Sequence, residues 1–400
     1  MKRAAIVGGG IGGLATAIAL RKVGFDVDVY ERDHELGEIG SGLSLWPNAL
    51  RSLRAIDSDL FSRVQRNGHP LRRFLMKEAN GNPIKTVPLP DTDIDGVAIL
   101  RSDLLSALAA AVPTSSIHLN HSFSHLVSRP SSVVLHFNNR AQAEVDFVVG
   151  CDGIRSVVRT FLGHKGGLIN RRYSVWRGMT SLPSGKHSEQ LGLERDGDFS
   201  ESYGHGKRFG IVRLGAGRIH WYAAANESLL QGSHNAGKTS DGNALAMLFS
   251  EWHAPVAELI AAADSIICTR VRDRSSSLPW TRDHIAILGD AAHPVSPNFG
   301  QGACLAIEDA VVLADCLQSA KDIGVAFRRY EKCRYRRCLE IYLTSREVGR
   351  FAQFQNRALV QLRKYFIKLA PLAFTTFWFR RSCEFDPPFL ANVTGGSGSD

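Results

Sequence analysis

Three short turns rich in glycine and aspartate constrain this chain more than any other feature of its sequence. They occupy residues 7–13, 150–153 and 288–294, and each directly follows an apolar stretch typical of a buried strand. Turns of this kind let the backbone approach a phosphate or a ribose without an intervening side chain. One such turn would be a weak signal. Three of them, in this order, favour one large dinucleotide bound across a single site.

The first turn contains Gly8, Gly10 and Gly13 in the pattern G-x-G-x-x-G, between a predicted strand and a predicted helix. In that context the glycines permit a tight turn, close approach to a pyrophosphate, and close packing of helix on strand. Glu31, 18 residues after Gly13, ends the next predicted strand, where a carboxylate binds an adenosine ribose and repels a 2′-phosphate. The nucleotide should therefore be FAD or NAD rather than NADP. The alternative is a glycine-rich turn beside a solvated glutamate.

The second and third turns distinguish between these two nucleotides. Asp152 and Asp290 each follow a predicted strand, and an NAD site needs neither, whereas the ribityl chain of a flavin offers an aspartate a partner. A turn or N-cap role is the alternative for each aspartate, and for Asp152 in particular. Residues 294–302 form a loop before a helix predicted over 303–317. The N-terminus of that helix can stabilise negative charge on a reduced flavin ring.

Composition and charge disfavour several other classes of protein. The net charge of +9 over 400 residues is spread thinly, without a long Lys/Arg block, so nucleic-acid binding is not expected, and anionic cofactors or an anionic membrane surface explain the charge as well. The seven cysteines lack paired CxxC spacing, which favours reduced thiols in a cytoplasmic protein over disulfides or a zinc site. We therefore expect no metal centre. No apolar stretch reaches the roughly 18–20 residues of a transmembrane helix.

Strand-rich segments interrupt the turn-bearing segments twice, which predicts a discontinuous nucleotide-binding domain. The predicted units are a nucleotide-binding domain over 1–73, 98–165 and 268–325, a β-rich substrate domain over 74–97 and 166–267, a C-terminal helical segment over 326–392, and a flexible tail over 393–400. The C-terminal segment is aromatic and basic. It either contacts a membrane or a lipophilic substrate, or packs on the protein with its Lys and Arg side chains extended into solvent.

Taken together, these residues resemble the single-component (class A) FAD-dependent aromatic monooxygenases, the family of para-hydroxybenzoate and salicylate hydroxylases, from residue 3 to about 345. The resemblance implies an α/β fold, with a Rossmann-type FAD-binding domain like that of para-hydroxybenzoate hydroxylase, an inserted β-sheet substrate domain and C-terminal helices. It also implies non-covalent FAD, NADH or NADPH as co-substrate, and O2. A flavin hydroperoxide would then hydroxylate or epoxidise a small aromatic, heterocyclic or lipophilic molecule. An FAD-dependent oxidoreductase without oxygen insertion and a non-catalytic FAD-binding protein are the alternatives, and either a monomer or a homodimer fits.

The resemblance also implies roles for single residues. Glu31 would hold the adenosine ribose, Arg101 the FAD chain and Asp290 the ribityl, while Asp152 would bridge FAD and the reduced nicotinamide. Residues 297–302 would surround the isoalloxazine ring. The full set assigned to FAD is Gly8, Gly10, Gly13, Glu31, Arg32, Ser44, Arg101, Asp152, Asp290, Pro297, Gly300, Gln301 and Gly302.

Within this family, residues 300–310 and 206–208 are most similar to FAD-dependent urate hydroxylases and zeaxanthin epoxidases. In the urate enzymes the arginine matched by Arg208 binds substrate, but their tyrosine twelve residues further on is His220 here, which argues against urate itself. The catalytic candidates are Arg208, His220 and Tyr222. We expect Arg208 to hold an anionic or carbonyl-bearing substrate and His220 to act as a base near neutral pH. A structural role is the alternative for each residue.

Overall fold

The computed structural model describes residues 1–37, 41–89, 92–181, 195–215, 217–230 and 242–391, except the side chain of Trp378. The tail predicted over 393–400 lies outside the described residues. The strands are β1 (Arg3–Val7), β2 (Asp26–Tyr30), β3 (Gly42–Leu45), β4 (His69–Leu71), β5 (Arg73–Glu78), β6 (Pro83–Pro88), β7 (Gly96–Leu100), β8 (Ile117–His118), β9 (Phe123–Ser128), β10 (Val133–Phe137), β11 (Gln142–Val145), β12 (Phe147–Gly150), β13 (Ile169–Ser181), β14 (Asp198–Tyr203), β15 (Lys207–Arg213), β16 (Arg218–Asn226), β17 (Ile266–Asp273), β18 (Thr281–Arg282) and β19 (Ile285–Ile287). The α-helices are α1 (Ile11–Lys22), α2 (Pro47–Ile56), α3 (Ser58–Asn67), α4 (Arg101–Ala109), α5 (Val158–Phe161), α6 (Gly242–Leu248), α7 (Val256–Ala261), α8 (Gly302–Ser319), α9 (Ile323–Ala352), α10 (Arg357–Leu369) and α11 (Leu372–Cys383).

A six-stranded sheet brings the three glycine-and-aspartate turns to one edge. Its order is β18-β19-β12-β1-β2-β8, and β19, β12, β1, β2 and β8 run parallel. Since β1, β12 and β19 are parallel neighbours, the turns that follow them lie side by side at their carboxyl ends, where open α/β sheets bind ligands. The buried apolar strands β1 and β12 explain this placement, because a parallel sheet is covered on both faces.

A seven-stranded sheet, in the order β17-β13-β16-β15-β14-β5-β6, has one covered face and one open face. Strand alternation sorts β16: Trp221 packs on Phe249 and other residues of α6 and α7, whereas His220 and Tyr222 face a large groove. The sequence predicted the segment 166–267 as strand-rich, and the two helices within it are the difference. They form because the apolar face of the sheet has to be buried.

Two three-stranded antiparallel sheets and the C-terminal helices complete the described fold. The small sheets have the orders β11-β10-β9 and β3-β7-β4, so β7 does not join the seven-stranded sheet that contains β5 and β6. Helix α8 packs on α1, α2 and α9, while α10 and α11 pack on β6. The architecture is the predicted α/β fold with a second, β-rich part. The domain boundaries given above stay a prediction.

Candidate active site

One continuous groove of about 2230 Å³ runs from the carboxyl ends of β1, β2 and β12 across the open face of the seven-stranded sheet to α10 and α11. A pocket for one small ligand is typically about 300–1,000 Å³, so this groove has room for a dinucleotide and a second molecule. The predicted site residues that line it are Gly8, Gly10, Glu31, Arg32, Ser44, Arg101, Asp152, Arg208, His220, Tyr222, Asp290, Pro297, Gly300 and Gly302.

The first turn has glycines where a side chain would collide with backbone. Gly8 has a φ of +109°, and a Cβ there would lie 2.5 Å from the carbonyl oxygen of Cys151 in the second turn. A Cβ on Gly13 would lie 1.9 Å from the carbonyl oxygen of Gly8, so Gly13 serves helix–strand packing and does not line the groove. Helix α1 begins after Gly10 without a side-chain cap. Its first N–H groups are therefore available to an anion.

Glu31 is fixed against this turn at the end of β2. Its Oε2 accepts a hydrogen bond of 2.6 Å from the Gly9 N–H, and its Oε1 accepts one of 3.1 Å from the Asp33 N–H. Each carboxylate oxygen has a second lone pair for a ligand. The neighbouring Arg32 is exposed and lies 3.9 Å from Asp33. The carboxylate thus stands where a ribose beside the glycine turn would meet it.

Asp152 in the second turn has one oxygen bound within the turn and one that is not. Its Oδ2 accepts hydrogen bonds from the N–H groups of Val157, at 2.6 Å, and Val158, at 3.1 Å, directly before and at the start of α5. Its Oδ1 has no hydrogen-bond partner among the described residues. Burial raises the pKa of this carboxyl. One oxygen therefore stabilises the turn, and the other is left for a ligand.

The third turn is held from behind by a buried carboxylate. Asp309 on α8 accepts hydrogen bonds from the Gly289 N–H at 3.0 Å, His293 Nε2 at 2.6 Å and Arg334 Nε at 2.7 Å. Burial opposes the charge on Asp309, but His293 and Arg334 hold its pKa below the usual range. Asp290, next to Gly289, lines the groove. The network around Asp309 thus fixes the turn that carries Asp290, although Asp309 itself does not line the groove.

The loop before α8 presents its backbone to the groove. Gly300 is in the left-handed region at φ +63°, and a Cβ there would lie 3.0 Å from Trp46 Nε1. Helix α8 begins without a side-chain cap, so its N–H groups and its positive dipole end face the space lined by Gly302. Gln301, which was assigned to the flavin as part of this loop, does not line the groove with its side chain. It is buried and accepts a 2.9 Å hydrogen bond from Asn48 Nδ2.

These groups fit the chemistry of FAD. Two helix N-termini supply N–H donors, the carboxylates of Glu31, Asp152 and Asp290 can accept from hydroxyl groups, and Arg101 adds a positive charge in the same groove. A Cβ on Gly10 would meet no atom within 4 Å, so space is open beside the N-terminus of α1. Pyrophosphate, ribose, ribityl and a planar ring each have a matching group here.

The far end of the groove holds a buried polar cluster on the open face of the large sheet. Glu201, Gly210 and Tyr222 are cross-strand neighbours on β14, β15 and β16. A Cβ on Gly210 would lie 2.1 Å from the Tyr222 ring, so the glycine lets Tyr222 lie across it. The Tyr222 hydroxyl donates a 3.0 Å hydrogen bond to Glu201 Oε1, and Arg208 NH1 donates one of 3.2 Å to the same oxygen.

Arg208 also links this cluster to the loop before α8. Its NH2 donates a hydrogen bond to Asn298 Oδ1, and its guanidinium lies 5.9 Å from the centroid of the Tyr173 ring. Burial opposes its charge, but Glu201 and neighbouring tyrosines raise the pKa of Arg208. Burial and Glu201 together hold the pKa of Tyr222 well above its usual range. Arg208 therefore stays positively charged, and the phenol of Tyr222 stays protonated.

His220 is neutral in this environment. Its Nδ1 accepts a 3.3 Å hydrogen bond from the Gly42 N–H, which places the ring proton on Nε2. Burial, with a contribution from Arg177, lowers the pKa of His220 to about 3. The base near neutral pH that the sequence suggested does not fit these surroundings, because so low a pKa makes the imidazole a weak base.

Glu201 and the side chain of Asn298 belong to the site but were not predicted from the sequence. Glu201 lies between two serines in β14, which is typical of a solvent-facing strand position. Strand alternation could have indicated Glu201, because Phe199, Glu201 and Tyr203 lie on the same face of β14 and all three line the groove. Asn298 was seen only as part of a loop, although its Oδ1 also accepts from the Tyr173 hydroxyl at 2.9 Å.

The comparison with known families identifies the family of this chain. A family model described as FAD binding domain matches residues 2–322, which is well over half of the 400 residues. The chain belongs to this FAD-binding family. FAD is therefore its cofactor, as the residues predicted.

Relatives of this FAD-binding protein that cover nearly the whole chain include a named monooxygenase. It is 30% identical to the aurachin C monooxygenase/isomerase of Stigmatella aurantiaca, over 96% of this chain and 98% of that protein. It is 29% identical to the 2-heptyl-3-hydroxy-4(1H)-quinolone synthase of Pseudomonas aeruginosa, over 92% and 94%. The structure of Klebsiella pneumoniae HpxO complexed with FAD and uric acid shares its fold, with a TM-score of 0.85 at 24% identity over 96% of both chains. The protein is an FAD-dependent monooxygenase.

Proposed function

We propose that this monooxygenase uses NADH or NADPH and O2 to hydroxylate or epoxidise a planar aromatic or nitrogen-heteroaromatic compound that carries an apolar substituent. The observation that supports this most is the buried cluster of Glu201, Arg208 and Tyr222, which shares the groove with several aromatic side chains. A cluster of this kind recognises a few polar atoms on a ring, while its apolar surroundings accept the rest of the molecule.

FAD supplies the hydride acceptance and oxygen activation when it is bound. Arg208 holds a positive charge and has N–H donors beyond those given to Glu201 and Asn298, so it binds a ring oxygen and stabilises negative charge on it. The Tyr222 hydroxyl donates to Glu201 and so fixes that carboxylate. Glu201 accepts a hydrogen bond from a ring N–H or O–H and orients that ring. Negative charge on a ring oxygen makes the adjacent ring carbons more nucleophilic, which favours attack on an electrophilic oxygen atom.

His220 has a positioning role in this proposal. Its neutral ring accepts from Gly42 on β3, next to Ser44, and so joins the substrate sheet to the strand that borders the FAD end. Because the imidazole does not titrate near neutral pH, it keeps one hydrogen-bonding pattern over the working range.

The apolar substituent is proposed from the groove wall and from the names of relatives. The wall beyond the polar cluster contains Phe74, Phe199 and Phe379, and it continues to Phe366 and Phe374 on α10 and α11. One relative is named for a heptyl-hydroxyquinolone, a planar nitrogen heterocycle with an alkyl chain. A wall of this kind shields such a chain from water.

A screen of substrates scored by stimulated NAD(P)H oxidation tests this function. We expect quinolones with an alkyl chain to stimulate oxidation and to be recovered with one added oxygen atom, and the same rings without the chain, or urate, to stimulate it less. Glu201→Gln should lower kcat/KM at least about tenfold, because a hydrogen bond to a charged partner is worth about 1.5–3 kcal/mol.

Glu227→Gln is the matched control, since Glu227 directly follows β16 of the same sheet but does not line the groove. Both variants should retain bound FAD, which shows as the flavin absorbance. Equal kcat/KM for Glu201→Gln and the control would contradict the assigned role. NAD(P)H oxidation with release of hydrogen peroxide and no oxygenated product, for every compound, would favour an oxidoreductase without oxygen insertion.

A further inference from the structure

We propose that α10 and α11 form a docking surface for an anionic lipid bilayer, which places the mouth of the groove at the membrane. A lipophilic substrate would then enter the groove directly from the bilayer. The entry of substrate from the bilayer rests on the function proposed above, whereas the docking surface itself does not.

Large apolar side chains are exposed on these two helices far more densely than elsewhere. In the described part of the chain, eight of the eighteen exposed large apolar side chains lie between 359 and 377. They are Leu359, Leu362, Tyr365, Phe366, Leu369, Leu372, Phe374 and Phe377. Single exposed apolar residues are ordinary, but a contiguous patch marks an interaction surface.

The patch is exposed although the helices that carry it are firmly attached. Arg363, on the inner side of α10, is buried and donates hydrogen bonds to the carbonyl oxygens of Ala352, at 2.6 Å, and Gly204, at 2.7 Å. Lys85 on β6 donates to the carbonyl oxygen of Ala370 between the two helices. The inner faces are therefore used for packing, and the outer apolar face is left to a partner.

The charge of this segment selects an anionic partner. From residue 348 to 383 the sequence contains seven Arg and Lys residues and no Asp or Glu. Arg357, Lys368 and Arg380 are exposed near the apolar patch. Apolar side chains bordered by basic ones are typical of helices that lie in the interface of an anionic bilayer.

The patch is continuous with the groove. Phe366 and Phe374 are 51% and 46% exposed, their ring centroids are 6.3 Å apart, and both also line the groove together with Ala370. Within the described residues, no helix combines the length and the apolar character needed to cross a bilayer. The geometry therefore corresponds to helices that lie on a membrane with the groove open toward it.

Vesicle flotation of the full-length, FAD-loaded protein tests the proposal. We expect the protein to bind phosphatidylcholine vesicles that contain phosphatidylglycerol, to bind pure phosphatidylcholine vesicles less, and to lose binding as salt is raised. Leu362→Glu combined with Leu369→Glu should reduce binding at least about tenfold, since two exposed apolar contacts become repelled charges. Neither residue lines the groove.

Met247→Glu is the matched control, because Met247 is 79% exposed on α6 and should not affect binding. Lys368→Glu combined with Arg380→Glu changes only exposed charges and should also weaken binding, so the test does not depend on one variant folding. The FAD content of each variant, measured by absorbance, shows whether that variant folds. No binding by the wild type, or equal binding by all variants, would overturn the proposal. So would a dimer without lipid affinity that the Leu362/Leu369 variant converts to a monomer, because a second copy of the chain would then cover the patch.

Discussion

His220 should make this protein lose stability at mildly acidic pH in a way that replacement of the residue removes. The ring is 6% exposed, and its Nδ1 accepts a hydrogen bond from the Gly42 N–H. A protonated ring could not accept that bond and would bury a charge. His220→Asn keeps a polar acceptor at this position but does not titrate.

The size of the effect follows from the two pKa values. The ordinary value for His is 6.5, and in the folded protein the pKa of His220 is lowered to about 3. Because the folded value is the lower one, the stabilising contribution is complete above about pH 6.5 and is lost as the pH falls from there toward 3. Between about pH 8 and pH 5 the expected loss is about 2 kcal/mol, and the upper limit at still lower pH is about 5 kcal/mol.

Urea unfolding of both proteins, at about pH 8 and about pH 5, measures this difference. We expect the free energy of unfolding of the wild type to fall by about 2 kcal/mol more than that of His220→Asn over this interval. Other carboxyls and histidines titrate in both proteins and cancel in the comparison. An equal fall in the two proteins would refute the argument, and His220 would then again be a candidate for a base near neutral pH.

Three further predictions concern the geometry of the groove. Gly210→Ala should displace the Tyr222 ring and destabilise the protein by about 1–3 kcal/mol, with a raised KM for substrate but normal FAD content; an unchanged KM would contradict it. Glu31→Gln should weaken FAD binding about ten- to a hundredfold, measured by fluorescence titration of the apoprotein, and an unaltered Kd would remove Glu31 from the ribose site. Asp309→Asn should cost about 3–5 kcal/mol in urea unfolding, because the buried His293 would lose its carboxylate partner and Arg334 would keep only Glu308; a loss below 1 kcal/mol would show that the network relaxes.

The cofactor end of the site could be predicted from the sequence because its signals are local. Gly8, Gly10, Gly13 and Glu31 lie within one strand–helix–strand unit, where the spacing alone determines what lies next to what. For Glu201, alternation along β14 indicates only which residues share its face. That this face lines a site depends on β14 pairing with β15 and, in parallel, with β5 more than a hundred residues away.

What the sequence did not show has the same physical origin. Gln301 was assigned to the flavin as part of the loop before α8, and that assignment stays a prediction, but the contact of its side chain with Asn48 on α2 joins residues distant in sequence. The pKa of His220 is set by burial between strands, which a sequence does not display. The helices α6 and α7 form because the large sheet has an apolar face to cover, a requirement that appears only once the sheet exists.

Asn298 joins three parts of the molecule through one amide group. Its Oδ1 accepts from Arg208 and from the Tyr173 hydroxyl, and its Nδ2 donates to the carbonyl oxygen of Ser345 on α9 at 2.9 Å. On α9, a Cβ at Gly349 would lie 2.2 Å from that amide, so the helix is shaped around it. A ligand that draws Arg208 toward itself would therefore also pull on the adjoining loop before α8. The position of Arg208 and the position of this loop are thus coupled through one side chain.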